Sequence, residues 1–258
     1  MNLDLISYSA TAPGAAGAGA ALAGDSLTIK NSKTAPMIVA AWGTNQTAGF
    51  HQLAYPSGHD TTRGYRCGAP AAGPNLILPW GAYLEPRPQE LLSITVAGSA
   101  VAGDVEQGSL LLYYPDLPGV EARLITPGNL WSRYLKETTI EASIVSVAGP
   151  SYAGEELISA DSDLLKANTD YAVLGLSSRT ACHNLCLRGP DLGNLRVAVP
   201  GILRPELTQR FFVALSAAHN RAMIPVINSG NKSSTFIGVS TDENAGTFVV
   251  TLHLIELR

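Results

Sequence analysis

Charge is scarce in this chain. Only 15% of its 258 residues are Asp, Glu, Lys or Arg, against roughly 25% in an average globular protein. A chain so poor in charge has to hide much of its surface, inside a core or against neighbours. The net charge is −4, so there is no basic field to hold a nucleic-acid backbone, and specific nucleic-acid recognition is not expected. Cysteine is scarce as well. Cys67, Cys182 and Cys186 are too few and too irregular for a disulfide framework, and they read as reduced thiols of a protein made in a cytosol. No second Cys or His pair joins Cys182 and Cys186 at zinc-finger spacing. No run approaches the ~18 apolar residues of a membrane span. The N-terminal stretch MNLDLISYSATAPGAAGAGAALAG lacks the basic region of a signal peptide. Its small residues build no packed core, and residues 9–24 read as a flexible arm or long loop.

What the chain does have is β pattern. Short runs of β-branched and large apolar residues alternate with Gly, Pro, Asn and Ser clusters. The clear runs are Met37–Trp42, Leu91–Val96, Leu110–Tyr114, Ile140–Val147, Tyr171–Leu176, Phe211–Leu215 and Phe248–Leu254. Phe248–Leu254 and Leu110–Tyr114 are too apolar for strands wetted on one face, so both are expected to be covered on two sides. Helical signal is thin. Residues 129–137, NLWSRYLKE, carry an Asn cap and apolar residues at helical spacing, which predicts one short helix. A further turn of helix is expected in 206–212 after Pro205, and another after Pro88.

The strands come in two sets. AGAALAGDS at 18–26 matches AGEELISADS at 153–162, MIVAAW matches YAVLGL, and TAGFHQL at 47–53 matches TACHNL at 180–185, which sets His51 opposite His183. Leu84 and Pro86 face Leu203 and Pro205, ahead of LLSITV and FFVALS. Asp104 and Gly108 face Asp242 and Gly246, ahead of SLLLYY and TFVVTL. The drift of the offset predicts a longer loop near 67–80 in the first half and near 218–241 in the second. The series is collinear across both halves and reads as an internal duplication. The chain then divides into an N-terminal arm and first strand (1–24), a first β unit (25–115), a linker with a short helix (116–137) and a second unit (138–258). Each unit has room for about eight short strands, the content of a sandwich or jelly roll. The fold class is all-β: two tandem jelly-roll barrels with a short helix in the linker.

Chemistry-bearing motifs are missing. His51, His59 and Asp60, and His183 with Asp191, are the most enzyme-like groups, but no His-x-His pair is present. The matched positions of His51 and His183 favour a shared structural role, such as a hydrogen bond at a strand end. No G-x-S-x-G elbow supports Ser-His-Asp chemistry, and the Ala/Gly-rich stretch lacks the G-K-[ST] ending of a phosphate loop. Glu155, Glu156, Asp161 and Asp163 lack the alternation of a calcium loop and read as a solvated edge. Residues 228–234 read as an exposed loop or hairpin tip. No catalytic residue, cofactor or metal is expected. Arg63, Arg66, Arg179 and Arg188 cluster in sequence with Asp60 and Asp191, and an Arg–carboxylate pair at a subunit contact would fix orientation. The candidate interface residues are Arg63, Tyr65, Arg66, Trp80, Tyr83, Trp131, Tyr134 and Arg188.

The duplication, the β pattern, the small-residue arm and the linker helix together resemble the double jelly-roll major capsid proteins of tailless icosahedral, membrane-containing bacteriophages. The resemblance is architectural, spans the whole chain and transfers no residue by motif. It implies a structural virion protein, made in the host cytoplasm, that is not an enzyme. It implies pseudo-hexagonal homotrimers that tile a shell, with neighbouring capsomers, minor capsid or spike proteins, and an internal membrane as the contacts open to it. The competing readings are a two-domain β-sandwich binding module (a decoration, receptor-binding or lectin-like protein) and a bicupin-like metalloenzyme.

Overall fold

Residues 1–11, 19–21, 27–45, 47–59, 64–69, 74–99, 101–146, 154–158, 165–202, 204–241 and 245–258 are described by a computed structural model. The strands are β1 (Asn2–Thr11), β2 (Gly19–Ala21), β3 (Leu27–Thr28), β4 (Met37–Thr44), β5 (Gly49–Ala54), β6 (Tyr65–Ala69), β7 (Asn75–Leu76), β8 (Leu91–Ala97) and β9 (Val105–Tyr114). After these come β10 (Leu124–Ile125), β11 (Tyr134–Ser146), β12 (Gly154–Leu157), β13 (Asp170–Ser178), β14 (Asn184–Arg188), β15 (Arg196–Pro200), β16 (Ile224–Asn228), β17 (Phe236–Ser240) and β18 (Gly246–Leu257). The helices are α1 (Pro127–Arg133), α2 (Pro205–Thr208) and α3 (Phe211–His219). None of them is long and apolar enough to cross a membrane.

The chain folds as two units, Leu5–Pro118 and Gly119–Arg258, the latter joined by Met1–Asp4. In the first unit one sheet runs β1-β9-β4-β7 and the other β2-β8-β5-β6, with β3 added on β8. In the second unit the sheets run β10-β16-β13-β18-β11 and β12-β17-β14-β15. Setting β3 and β10 aside and numbering each unit's remaining strands in chain order, both units read 1-8-3-6 in one sheet and 2-7-4-5 in the other. That is the strand order of a jelly roll, in which the chain passes back and forth between two facing sheets. The same connectivity thus occurs twice. MIVAAW and YAVLGL fall on equivalent strands, β4 and β13, and SLLLYY and TFVVTL fall on β9 and β18.

Burial follows the sequence pattern in one unit and departs from it in the other. Every residue of β4 is buried, and so is every residue of β9 from Glu106 on, so the run Leu110–Tyr114 is covered on both faces as expected. Along β18, buried Phe248, Val250, Leu252 and Leu254 alternate with half-exposed Val249, Thr251 and His253. That strand has one wet face, because its sheet is only partly roofed: α2 and α3 lie on β13 and β16.

Several local expectations are corrected. Phe211–Leu215 is helix, not strand. A short apolar run is ambiguous between the two, and the Ala and Leu that continue it favour helix up to Asn220, which caps α3 in the left-handed conformation. The strand equivalent to LLSITV is therefore β17, not FFVALS. The extra length of the second unit lies at 201–223, between β15 and β16, and that of the first at 77–90, between β7 and β8. No helix follows Pro88 among the described residues. The linker helix is capped by Thr126, whose hydroxyl accepts from Asn129 N at 3.3 Å, with Pro127 at the first turn. It ends at Arg133, and Tyr134–Glu137 belong to β11, where β-branched Thr138, Thr139 and Ile140 continue the strand. Within 9–24, residues 9–11 complete β1, and Gly19–Ala21 pair with Thr95–Ala97; the rest of the arm lies outside the described residues.

Candidate interaction surface

Four of the five aromatic candidates are exposed. Trp131 (48%) and Tyr134 stand where α1 passes into β11, their rings 6.0 Å apart, with exposed Leu135 beside them. Trp80 and Tyr83 (50%) stand on the stretch between β7 and β8. That stretch is firmly fastened. Leu84 and Ile38 exchange backbone hydrogen bonds of 2.8 and 3.2 Å, and Gln89 N donates to Ile29 O. The Glu90 carboxylate accepts from Ser57 N and Oγ and from Arg87 N. Aromatic side chains held on an ordered backbone lose little freedom when covered, so they are well prepared for contact. Tyr65 is half-buried on β6, edge-on to His59.

The arginines do not pair as their sequence clustering suggests. Arg66 lies over the Phe50 ring at 4.0 Å and donates through Nε and Nη2 to Gln52 Oε1. Arg188 lies over Phe236 at 4.9 Å and donates to Glu155 Oε2 at 2.7 Å, while Arg196 reaches Glu155 Oε1 at 3.3 Å. Glu155 is therefore a clamped carboxylate and not part of a solvated edge; Glu156 is exposed. Beneath this cluster Cys186 is fully buried, which pushes its thiol up to about 12. Arg179 pairs with Glu141 at 2.9 Å. Arg63, Asp60, Asp161 and Asp163 lie outside the described residues. None of the three cysteines is in a disulfide.

Asp191 belongs to a polar cluster that sequence reading missed. Arg123, from the linker, bonds both Asp170 and Asp191, and Arg133 approaches Asp170 at 3.6 Å. Asn228 N and Asn231 Nδ2 donate to Asp191 Oδ2 at 2.8 and 3.0 Å, and Asn228 Nδ2 donates to Asp170. The Arg123 guanidinium holds the Asp170 carboxyl below its ordinary range. Residues 228–234 are accordingly no free loop tip: Ser229–Ser234 form a 3₁₀ turn with Ser229 buried. The run of Asn and Ser there was the available signal, since such side chains bond nearby backbone and carboxylates as readily as they face water.

A shallow cleft of about 280 Å³ lies on the second unit, lined by Glu137, Thr139, Leu174, Gln209, Arg210 and His253 among others. Among its polar groups, Arg210 bonds Glu137 at 2.7 Å and His253 Nε2 is 2.8 Å from Ser177 Oγ. Gly175 lets the α2–α3 turn press onto β13 beside it, since a Cβ there would lie 1.9 Å from Thr208 O.

His51 and His183 are both buried, one on β5 and one at the entry to β14, each strand the fourth of its unit. His51 points into the interior of the first unit. Its Nδ1 is 2.9 Å from Tyr8 OH and its Nε2 is 2.5 Å from Asn45 Oδ1. Asn45 Nδ2 donates to Ala97 O at 3.3 Å, which turns the amide oxygen toward the imidazole. Nε2 therefore carries the proton, and Nδ1 accepts from Tyr8. Both ring nitrogens are thus taken by protein groups. Burial lowers His51 to about 4. Among the described residues, no group of three or more His, Cys, Asp or Glu is placed to hold a metal.

No protein-family model matches the chain, and no curated protein matches it. Among solved structures it is similar to the PBSX exported protein XepA, with a TM-score of 0.30 and 8% identity over 97% of this chain and 86% of that one. It is also similar to the STIV major capsid protein, with a TM-score of 0.22 and 11% identity over 98% of this chain and 97% of that one. Both scores fall short of a shared fold, so the fold assignment rests on strand order alone.

Proposed function

We propose that this chain is a structural virion protein, a major capsid protein of the double jelly-roll kind that assembles as trimers. One observation carries the reading: a single chain repeats the whole jelly-roll strand order twice. Three such chains around an axis supply six similar bodies, the number a pseudo-hexagonal tile needs. The exposed aromatics Trp80, Tyr83, Trp131 and Tyr134 and the Phe-stacked Arg66 and Arg188 are the contacts assigned to that assembly, since aromatic and Arg side chains are the ones enriched at interface centres. Tyr65 is assigned to the same assembly, as is Arg63 on its sequence position alone. On this reading the protein acts without catalysis or cofactor, resides in the virion and meets neighbouring capsomers. An internal membrane and minor capsid or spike proteins are further contacts of the same proposal. Light scattering on the purified chain tests it. A stable trimer that forms ordered lattices by electron microscopy supports the reading, and a monomer at all concentrations overturns it.

A further inference from the structure

The interior of the first unit holds a chain of hydrogen bonds that links its two sheets. It runs from Tyr8 on β1 to His51 on β5, then to Asn45 just after β4 and on to Ala97 O at the end of β8. The backbone is shaped around it. Gly43 and Gly108 are register partners on β4 and β9. A Cβ on Gly43 would lie 2.6 Å from His51 Nε2, and one on Gly108 would lie 1.9 Å from Tyr8 Cζ. Two adjacent glycines thus form the socket that the imidazole and the phenol occupy. The strand that supplies Tyr8 is the edge strand of its sheet, and edge strands open with less cost than central ones.

The chain works with one proton arrangement. Neutral His51 donates through Nε2 and accepts through Nδ1. A protonated imidazole donates through both nitrogens, so Tyr8, buried with its ring against the imidazole, has to surrender its donor role. The described groups against the ring carry no charge. Tyr8 from β1, Asn45 beyond β4 and Cys67 opposite His51 on β6 are neutral below pH 7. Cys67 Sγ already donates to Ile77 O, and Val96, the partner on β8, is apolar. Glu106, a carboxylate beyond Asn45, accepts from Ser99 N at 2.7 Å.

We propose that the Tyr8–His51–Asn45 chain is an acid-operated latch on β1: protonation of His51 opens it and loosens Leu5–Thr11, the part of β1 that belongs to the first unit, before the second unit is disturbed. Burial of the ring supports the direction, because it opposes the charged form. The device works within one chain and does not depend on the capsid reading; a monomer would show it equally.

The test is amide hydrogen exchange on the full chain, corrected for intrinsic rates, from about pH 7 to about pH 4.5. Protection of β1 is expected to fall by about tenfold or more while β14 and β17 hold theirs. In the His51→Gln protein, β1 protection should be flat across that range. Tyr8→Phe removes the donor to Nδ1 and leaves the ring, so it should move the loss of β1 protection to higher pH; this arm decides the matter if His51→Gln does not fold. Flat β1 protection in the natural chain overturns the proposal. So does an unchanged profile in Tyr8→Phe, or a fall in β14 and β17 that keeps pace with β1.

Discussion

The two units share one strand order and differ in what fills it. The second buries Leu185, Leu187, Val197, Val199, Ile237 and Val239 in one sheet and Ile140, Ile144, Val250 and Leu252 in the other, with His183 and Asn184 buried at the entry to β14. In the first, Tyr8, His51 and Asn45 take interior positions and are hydrogen-bonded to one another and to Ala97 O. The same connectivity therefore does not need one particular interior. It needs alternation that sends one face of each strand inward and turns that return the chain to the opposite sheet. Apolar filling stabilises without specifying partners. A hydrogen-bonded interior costs desolvation but fixes which residues face each other.

The largest test of that comparison is truncation in the second unit. Leu252→Ala is expected to cost about 2–5 kcal/mol, seen as early melting of the second unit in exchange or calorimetry with the first unit unaffected. Loss in both units together would mean that they unfold as one. The first unit should respond to acid through His51. The folded state lowers His51 from 6.5 to about 4, so the unfolded chain binds the proton first, and stability drains as pH falls through that interval. The loss reaches on the order of 3 kcal/mol. The second unit should yield at lower pH. Asp170, held down by Arg123, contributes stability that is present above the ordinary carboxylate range and is lost only as pH drops through its depressed value. Asp170→Asn should remove that acid limb and leave the His51 interval unchanged.

Smaller effects sharpen the comparison. Gly108→Ala forces a methyl against the Tyr8 ring and should destabilise the first unit by about 1–3 kcal/mol, as chemical denaturation with unit-resolved probes would report. Thr126→Ala removes the cap of α1 and should cost about 1 kcal/mol. Arg179→Ala breaks an exposed pair with Glu141 and should change stability by at most about 1 kcal/mol; a larger loss would show that the pair is part of a covered surface.

The amino-acid sequence alone determined the fold class, because alternation and turn residues act locally and their collinear recurrence is visible without coordinates. It also set His51 and His183 at matching places, which fall on β5 and just before β14. The placement of FFVALS, the pairing of Arg188 with Glu155 instead of Asp191, and the Arg123–Asp170–Asp191 cluster were decided only by tertiary structure. A short apolar run carries no period long enough to separate helix from strand. An ion pair depends on which strands the topology makes neighbours, and Glu155 on β12 meets Arg188 on β14 only across β17. The interior of the first unit teaches the same lesson. Nothing in the order of residues joins Tyr8 to His51 or sets Gly43 beside Gly108; the facing of two sheets does.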